Sequence, residues 1–135
     1  MEFKVNCVDE TNNSQIKCEE NKRKIIFINR LNILVKRIKV DNCQITDGLR
    51  CDYLVVYKTF ENFIELKGEN IKHAFKQLEQ TIKLLGNNKN DRKSYIISSR
   101  SPLASPEIQN QRLLFKRRFN SELIVKNKSL TVDIE

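Results

Sequence analysis

The sequence has no apolar run that could cross a bilayer. Among its longest apolar stretches is Tyr53–Tyr57, whereas a membrane-spanning helix needs about 20 apolar residues. Residues 1–4 carry charges at positions 2 and 4 and lack the apolar stretch of a signal peptide. We therefore expect a cytoplasmic protein without a membrane partner.

Zinc-binding motifs are also missing. No two of the four cysteines have Cys-x-x-Cys spacing, and His73 is the only histidine. A structural zinc site needs four nitrogen or sulfur ligands at closer spacing. We expect no zinc and free thiols in a reducing compartment. The cysteines are Cys7, Cys18, Cys43 and Cys51.

Internal repeats and low-complexity linkers are absent as well. A chain of 135 residues is close to the commonest domain size, so residues 1–135 are predicted to form a single domain. Hydrophobic residues make up 39% and charged residues 31% of the chain, which is too balanced for a fully disordered protein.

What the sequence does have is positive charge. The formal net charge is +8, and the basic residues cluster at positions 22–24, 36–37, 92–93 and 116–118. A basic surface attracts phosphate backbones by releasing counterions. A soluble lysine-rich protein has the same composition, so the charge alone does not decide between the two.

The hydrophobic pattern predicts an α/β sandwich around a mixed sheet. The period of two predicts strands at residues 24–28, 33–40, 51–57, 62–67 and 94–98 and a terminal hairpin of 122–125 with 130–134. The period of 3.6 predicts helices at residues 70–85 and 105–118, with a weaker helix at 14–20. The helix at 70–85 can serve as a right-handed crossover between parallel strands.

Acid-x-Lys occurs four times in this charged chain, and only context separates the copies. Glu65 and Lys67 alone lie inside an apolar strand, where residues two apart share a face. Two charges in such a strand are costly unless they have partners or a function.

The preceding strand contributes a third charge, Asp52. A turn near residues 59–61 would place Asp52 opposite Lys67 and Leu54 opposite Glu65. Asp52 and Glu65 would then be diagonal neighbours on one face. An alternative is a structural Asp52–Lys67 ion pair in which Glu65 is incidental.

Two adjacent carboxylates repel unless a cation lies between them. Mg²⁺ binds through one or two protein carboxylates, with water and phosphate completing its octahedron. Such a cation lowers the pKa of a bound water and offsets charge in the transition state of phosphodiester hydrolysis. Lys67 would orient or help deprotonate that water. We predict Mg²⁺, or Mn²⁺, as cofactor.

Residues 51–55 and 63–68, followed by a helix, resemble the core of the PD-(D/E)XK nuclease superfamily, which includes restriction endonucleases and Holliday-junction resolvases. The resemblance covers about residues 24–98. It implies a restriction-endonuclease-like mixed central β-sheet flanked by helices. It also implies metal binding by Asp52 and Glu65 and a catalytic role for Lys67.

Further residues are carried over on the same resemblance. Gln77 stands where some members place a catalytic glutamine on the helix after the lysine. Glu19 or Glu20 could supply the acid that many members add from an N-terminal helix. Cys51 replaces the usual proline, and Thr81 stands where the exonuclease branch has tyrosine.

Two functions follow as hypotheses. The first is a metal-dependent DNA endonuclease from a defence, mobile-element or repair setting. The second is a catalytically silent subunit on a nuclease fold that binds nucleic acid or another protein. The small size predicts a homodimer or a partner protein that supplies targeting.

Overall fold

A computed structural model of the protein describes residues 3–100 and 105–134. Over these residues the chain forms a short 3₁₀ turn, nine strands and two α-helices. The 3₁₀ turn is Val5–Cys7, and the helices are α1 (Ile71–Leu85) and α2 (Pro106–Phe119). The strands are β1 (Val8–Thr11), β2 (Gln15–Glu20), β3 (Arg23–Asn29), β4 (Val35–Lys39), β5 (Tyr53–Tyr57), β6 (Phe60–Lys67), β7 (Asp91–Ser98), β8 (Ser121–Asn127) and β9 (Ser129–Ile134).

The strands form two mixed sheets. The larger has the order β1-β4-β5-β6-β7-β8 and the smaller the order β2-β3-β9. In the larger sheet β5 and β6 form an antiparallel hairpin, whereas β6, β7 and β8 are parallel. Helix α1 connects β6 to β7 and α2 connects β7 to β8, as parallel strands require. The predicted α/β class and mixed sheet are confirmed, and the second sheet was not predicted.

The larger sheet is the middle layer of the molecule. Phe63 on β6 packs in a cluster with residues of both helices, such as Leu78 and Phe115. The next residue, Ile64, packs in a separate cluster with Phe27 of the smaller sheet. Because both faces of this sheet are covered, its central strands β6 and β7 are buried at most positions.

Both long helices begin and end within one residue of the predicted bounds. Asn70 caps α1 by accepting a hydrogen bond from the backbone N–H of His73 at 3.2 Å. Ser105 caps α2 by accepting from the N–H of Ile108 at 3.3 Å. Helix α1 thereby begins four residues after Lys67, close to the end of β6.

The weak helix predicted at residues 14–20 is wrong, because this segment is strand β2. It forms an antiparallel hairpin with β3, and Ile16 and Cys18 are buried at alternate positions. The connecting residues Asn21 and Lys22 have φ of 50° and 69°, as in the two-residue turns that favour hairpins. Tertiary packing against the larger sheet overrides the weak helical propensity.

The predicted terminal hairpin is also wrong. Strand β8 pairs with β7 in the larger sheet, whereas β9 pairs with β3 in the smaller one. Only Lys128 separates the two strands; its φ is 68° and its N–H donates to the carbonyl of Ser98 at 2.7 Å. The chain therefore passes from one sheet to the other where a hairpin turn was predicted.

The prediction of four free thiols fails for two of them. Cys7 and Cys43 form a disulfide bond that joins the 3₁₀ turn to the segment after β4. Cys18 and Cys51 are free and buried, and burial raises the pKa of the Cys18 thiol to about 12. In the described part of the chain no helix is long and apolar enough to span a membrane.

Candidate active site

The three predicted charged residues meet at one edge of the larger sheet. Because β6 and β7 are parallel, their carboxyl ends lie side by side, and Lys67 faces Ser98 there. Strand β5 runs in the opposite direction, so its beginning, next to Asp52, lies at the same edge. The outer side of the carboxyl ends is where open α/β sheets bind ligands.

The predicted register of the β5–β6 hairpin is wrong by two residues. The turn contains only Lys58 and Thr59, so Leu54 faces Phe63 rather than Glu65. The assignment of Asp52 opposite Lys67 fails for the same reason. The error arose because Phe60 and Glu61 were taken as part of the turn, whereas both are paired residues of β6.

Asp52 is held against the backbone on both sides of Glu65. Its own N–H donates to the carbonyl of Ile64 at 3.0 Å. Its Oδ2 accepts a hydrogen bond from the N–H of Leu66 at 2.8 Å. Asp52 therefore bonds the backbone of both neighbours of Glu65, and its carboxyl group lies close to that of Glu65. The two carboxyl groups thus come together although the predicted register was wrong.

Glu65 is a buried carboxyl group with an unsatisfied oxygen. The residue is only 3% exposed to solvent. Within the described residues, its Oε1 has no hydrogen-bond partner. Burial raises the pKa of Glu65 to about 9, assisted by the charge of Asp52, while Lys67 opposes the shift. The arrangement favours a cation or a proton at this position.

The pKa of Asp52 is also raised, but less than that of Glu65. Burial raises its pKa to about 7, the hydrogen bond from Leu66 opposes the shift, and the nearby Glu20 adds to it. The nearby Asp52 carboxyl also contributes to the raised pKa of Glu65. Because ionisation of one carboxyl group opposes ionisation of the other, the pair favours a shared proton or a cation.

The candidate third acid is on a strand. Glu19 and Glu20 end β2 rather than belonging to an N-terminal helix. Glu19 forms an exposed ion pair with Lys17 at 3.4 Å, whereas Glu20 interacts with Asp52. Across residues 3–100 and 105–134, however, no three His, Cys, Asp or Glu side chains are arranged to hold a metal ion together.

Gln77 contacts the segment that precedes Asp52. Its Nε2 donates to the carbonyl of Arg50 at 3.0 Å, and its Oε1 is buried without a partner in the described structure. One turn later, the Thr81 hydroxyl accepts from the N–H of Cys51 at 2.8 Å and donates to the carbonyl of Gln77. Helix α1 thus fixes the backbone just before Asp52. A catalytic role for Gln77 stays a prediction.

The residues present suit a divalent cation such as Mg²⁺ or Mn²⁺. Asp52 and Glu65 offer two adjacent carboxylates, and the unsatisfied Oε1 of Glu65 is a ligand atom that lacks a partner in the described structure. Two protein carboxylates are enough for Mg²⁺ when water and phosphate supply the other ligands. The lack of a third protein ligand is therefore compatible with such a cation.

Basic residues and the beginnings of both helices also lie at this edge of the larger sheet. Arg23, at the start of β3, donates from Nη1 to the Ser99 hydroxyl at 2.7 Å. The single-residue connection at Lys128 lies against Ser98, and both helices begin near this edge. Their first turns are joined by an ion pair between Lys72 and Glu107 at 3.6 Å. Helix N-termini carry partial positive charge, so the edge favours an anion beside the carboxylates.

Sequence reasoning did not bring Arg23 and Ser99 together. They lie 76 residues apart, at the start of a strand in one sheet and just after a strand in the other, so neither local pattern nor periodicity relates them. Arg23 was visible only as one member of the basic cluster at residues 22–24.

Comparison of the chain with known protein families, curated proteins and solved structures finds no match. The meeting of Asp52 and Glu65 next to Lys67 at one sheet edge is the observation from which a function is proposed.

Proposed function

We propose that the protein is a metal-dependent nuclease that hydrolyses phosphodiester bonds in DNA. The observation that supports the proposal is the buried pair of Asp52 and Glu65. Glu65 lies two residues before Lys67 on the same face of β6. Buried like charges are costly, and pairs with strongly raised pKa at a sheet edge are typical of functional sites. A divalent cation accounts for both carboxylates together.

Each residue has a separate role in this proposal. Asp52 and Glu65 bind the cation, and the hydrogen bond from Leu66 to Asp52 fixes the orientation of one of these ligands. When bound by these two carboxylates, such a cation would supply charge stabilisation and a water of lowered pKa. Lys67 orients that water and offsets negative charge as the bond to the leaving oxygen breaks.

The basic surroundings support a nucleic-acid substrate. Arg23, Lys67 and Lys128 lie around the same edge as the carboxylates, and the chain has a net charge of +8. Phosphate contacts from such residues provide most sequence-independent affinity. The cytoplasmic location and the homodimer or targeting partner expected from the sequence remain part of the proposal.

The test is cleavage of supercoiled plasmid with Mg²⁺ or Mn²⁺. Lys67→Ala should lower the cleavage rate by about 100-fold or more, as loss of a group acting in the transition state does, while leaving DNA binding largely intact. Lys89→Ala is the matched control, because Lys89 is exposed in the loop after α1 at the other end of the sheet. Cleavage by Lys67→Ala at the wild-type rate would contradict the proposed role of this lysine.

The absence of a third acidic ligand in the described structure favours a second function. The fold would then serve as a catalytically silent subunit, in which the shared proton satisfies the Asp52–Glu65 pair. Such a protein would bind DNA or RNA without cutting either in Mg²⁺ or Mn²⁺. Sedimentation of the protein alone would determine whether it forms the expected homodimer.

A further inference from the structure

Arg23 reaches from the smaller sheet to the active-site edge of the larger one. Its Nη1 is 2.7 Å from the Ser99 hydroxyl, which accepts the hydrogen bond. The same nitrogen lies 4.0 Å from where a side chain on Gly68 would begin. Gly68 directly follows Lys67, so the guanidinium of Arg23 lies over the segment that leaves the proposed catalytic lysine.

The strand ends beneath Arg23 are fixed. The N–H of Ser99 donates to the carbonyl of Gly68 at 2.9 Å, and the Ser98 hydroxyl donates to the same carbonyl at 3.3 Å. The N–H of Arg100 in turn donates to the Ser98 hydroxyl at 3.2 Å. Because Gly68 and Ser99 are tied together, the acceptor that orients Arg23 has a defined position.

The guanidinium of Arg23 is only partly satisfied. Within the described residues its Nε is buried without a hydrogen-bond partner, and no carboxylate forms an ion pair with it. Buried donors without partners are rare and require an explanation. The planar guanidinium presents a fork of donors that matches two oxygens of a phosphate group.

We propose that Arg23 binds a non-bridging oxygen of a phosphate next to the scissile one in the nucleic-acid strand. This inference rests on the proposed function of the Asp52, Glu65 and Lys67 site. The hydrogen bond to the Ser99 hydroxyl orients the guanidinium beside the segment that follows Lys67. Arg23 is thus a substrate-binding residue that sets the position of the strand across the carboxylates.

The experiment measures binding of a labelled DNA duplex in EDTA, so that it does not depend on cleavage. Arg23→Gln should weaken binding by roughly tenfold or more, as loss of a charged hydrogen bond does. It should also reduce the slope of log affinity against log salt by about one. Arg23→Lys keeps the charge without the fork, so the salt slope should stay while affinity falls by a smaller factor.

The matched control is Arg30→Gln. Arg30 lies just after the opposite end of β3 and forms an exposed ion pair with Asp133. The DNA affinity and salt slope of this variant should equal those of the wild type. Thermal unfolding shows whether each variant is folded, and Arg23→Lys tests the proposal if Arg23→Gln does not fold.

The two proposals fail separately in this design. If folded Arg23→Gln binds DNA with the affinity and salt slope of the wild type, the role of Arg23 is overturned, even if the protein cuts DNA through Lys67. If only Arg23→Lys folds, wild-type affinity in that variant has the same consequence. A protein that cuts nothing, but loses one unit of salt slope on Arg23→Gln, would contradict the nuclease and support the phosphate contact.

Discussion

At the scale of single residues, the dominant feature is a carboxyl pair that resists ionisation. Glu65 and Asp52 have pKa values raised to about 9 and about 7, in both cases chiefly by burial. A raised pKa in the folded state means that the folded protein binds protons more tightly than the unfolded chain. The resulting stability is present below pH 4 and is lost as the pH rises through these values.

Glu65→Gln should therefore stabilise the metal-free protein at high pH. At pH 5 the variant and the wild type should unfold at similar temperatures, because Glu65 is protonated in the wild type. At pH 9 the variant should have a Tm roughly 5 °C higher, since about 1 kcal/mol changes the Tm of a domain this size by about 4 °C. Thermal unfolding in EDTA across this pH range is the measurement.

Glu122→Gln is the control, because Glu122 is exposed on β8. Its Tm should follow that of the wild type at each pH. A constant difference in Tm between Glu65→Gln and the wild type from pH 5 to 9 would contradict the raised pKa of Glu65.

The sequence identified these residues by their context and not by their motif. Glu65 and Lys67 were selected because they alone among the acid-x-Lys pairs lie in an apolar strand. The structure places Glu65 beside Asp52 and Lys67 at the end of the same strand. The register could not be predicted, since it depends on whether Phe60 and Glu61 belong to the turn or the strand. Buried Glu61 has a partner, Arg92, that only the tertiary structure reveals.

At the level of elements, the Glu61–Arg92 ion pair joins strands and helix ends at the end of the larger sheet opposite the active site. Arg92 Nε lies 2.7 Å from Glu61 Oε1, and both side chains are at most 5% exposed. Glu61 also accepts from the N–H of Asn87 after α1, and Arg92 donates to the carbonyl of Phe119 at the end of α2. One pair thus connects β6, β7 and the ends of both helices.

Removing one partner of this pair should destabilise the protein severely. Arg92→Met leaves the Glu61 carboxylate buried without its cation, which costs about 3–5 kcal/mol. The exposed Arg30–Asp133 pair, at 3.0 Å, is the comparison: Arg30→Met should cost about 0–1 kcal/mol. Urea unfolding at pH 7 measures both, and equal losses would contradict a structural role for the buried pair.

The same ion pair explains why the residue after α1 is glycine. The sequence indicates Gly86 as a helix stop, but its φ of −65° is open to any residue. A side chain there would begin 2.6 Å from the carbonyl of Ile82 and 2.7 Å from Nη2 of Arg92. The glycine is needed for close approach rather than for backbone freedom, which a local pattern cannot distinguish.

At the scale of the whole molecule, the Cys7–Cys43 disulfide closes a loop with a sequence separation of 36 residues. Such cross-links typically stabilise a protein by about 2–4 kcal/mol. Cys7→Ser with Cys43→Ser should therefore lower the Tm in the absence of reductant, and dithiothreitol should lower the wild-type Tm to a similar value. Cys18→Ser is not a suitable control because Cys18 is fully buried.

Mass spectrometry of the unreduced protein provides the independent check. A mass two hydrogens below that of the reduced chain, with a peptide linking residues 7 and 43, is the expected result. Four free thiols in protein purified without reductant would contradict the bond. The sequence could not predict it, because Cys7 and Cys43 meet through the pairing of β1 with β4.

The parallel pairing of β3 with β9 joins segments roughly a hundred residues apart along the chain. Contacts of such separation form slowly, since a long loop must close first. Arg23 begins β3, and the N–H of the adjacent Lys24 donates to the carbonyl of Lys128 just before β9. During synthesis, therefore, β3 can complete its pairing only after β9 has left the ribosome. Asp52 and Glu65 are thus synthesised well before the smaller sheet, which carries Arg23, is complete.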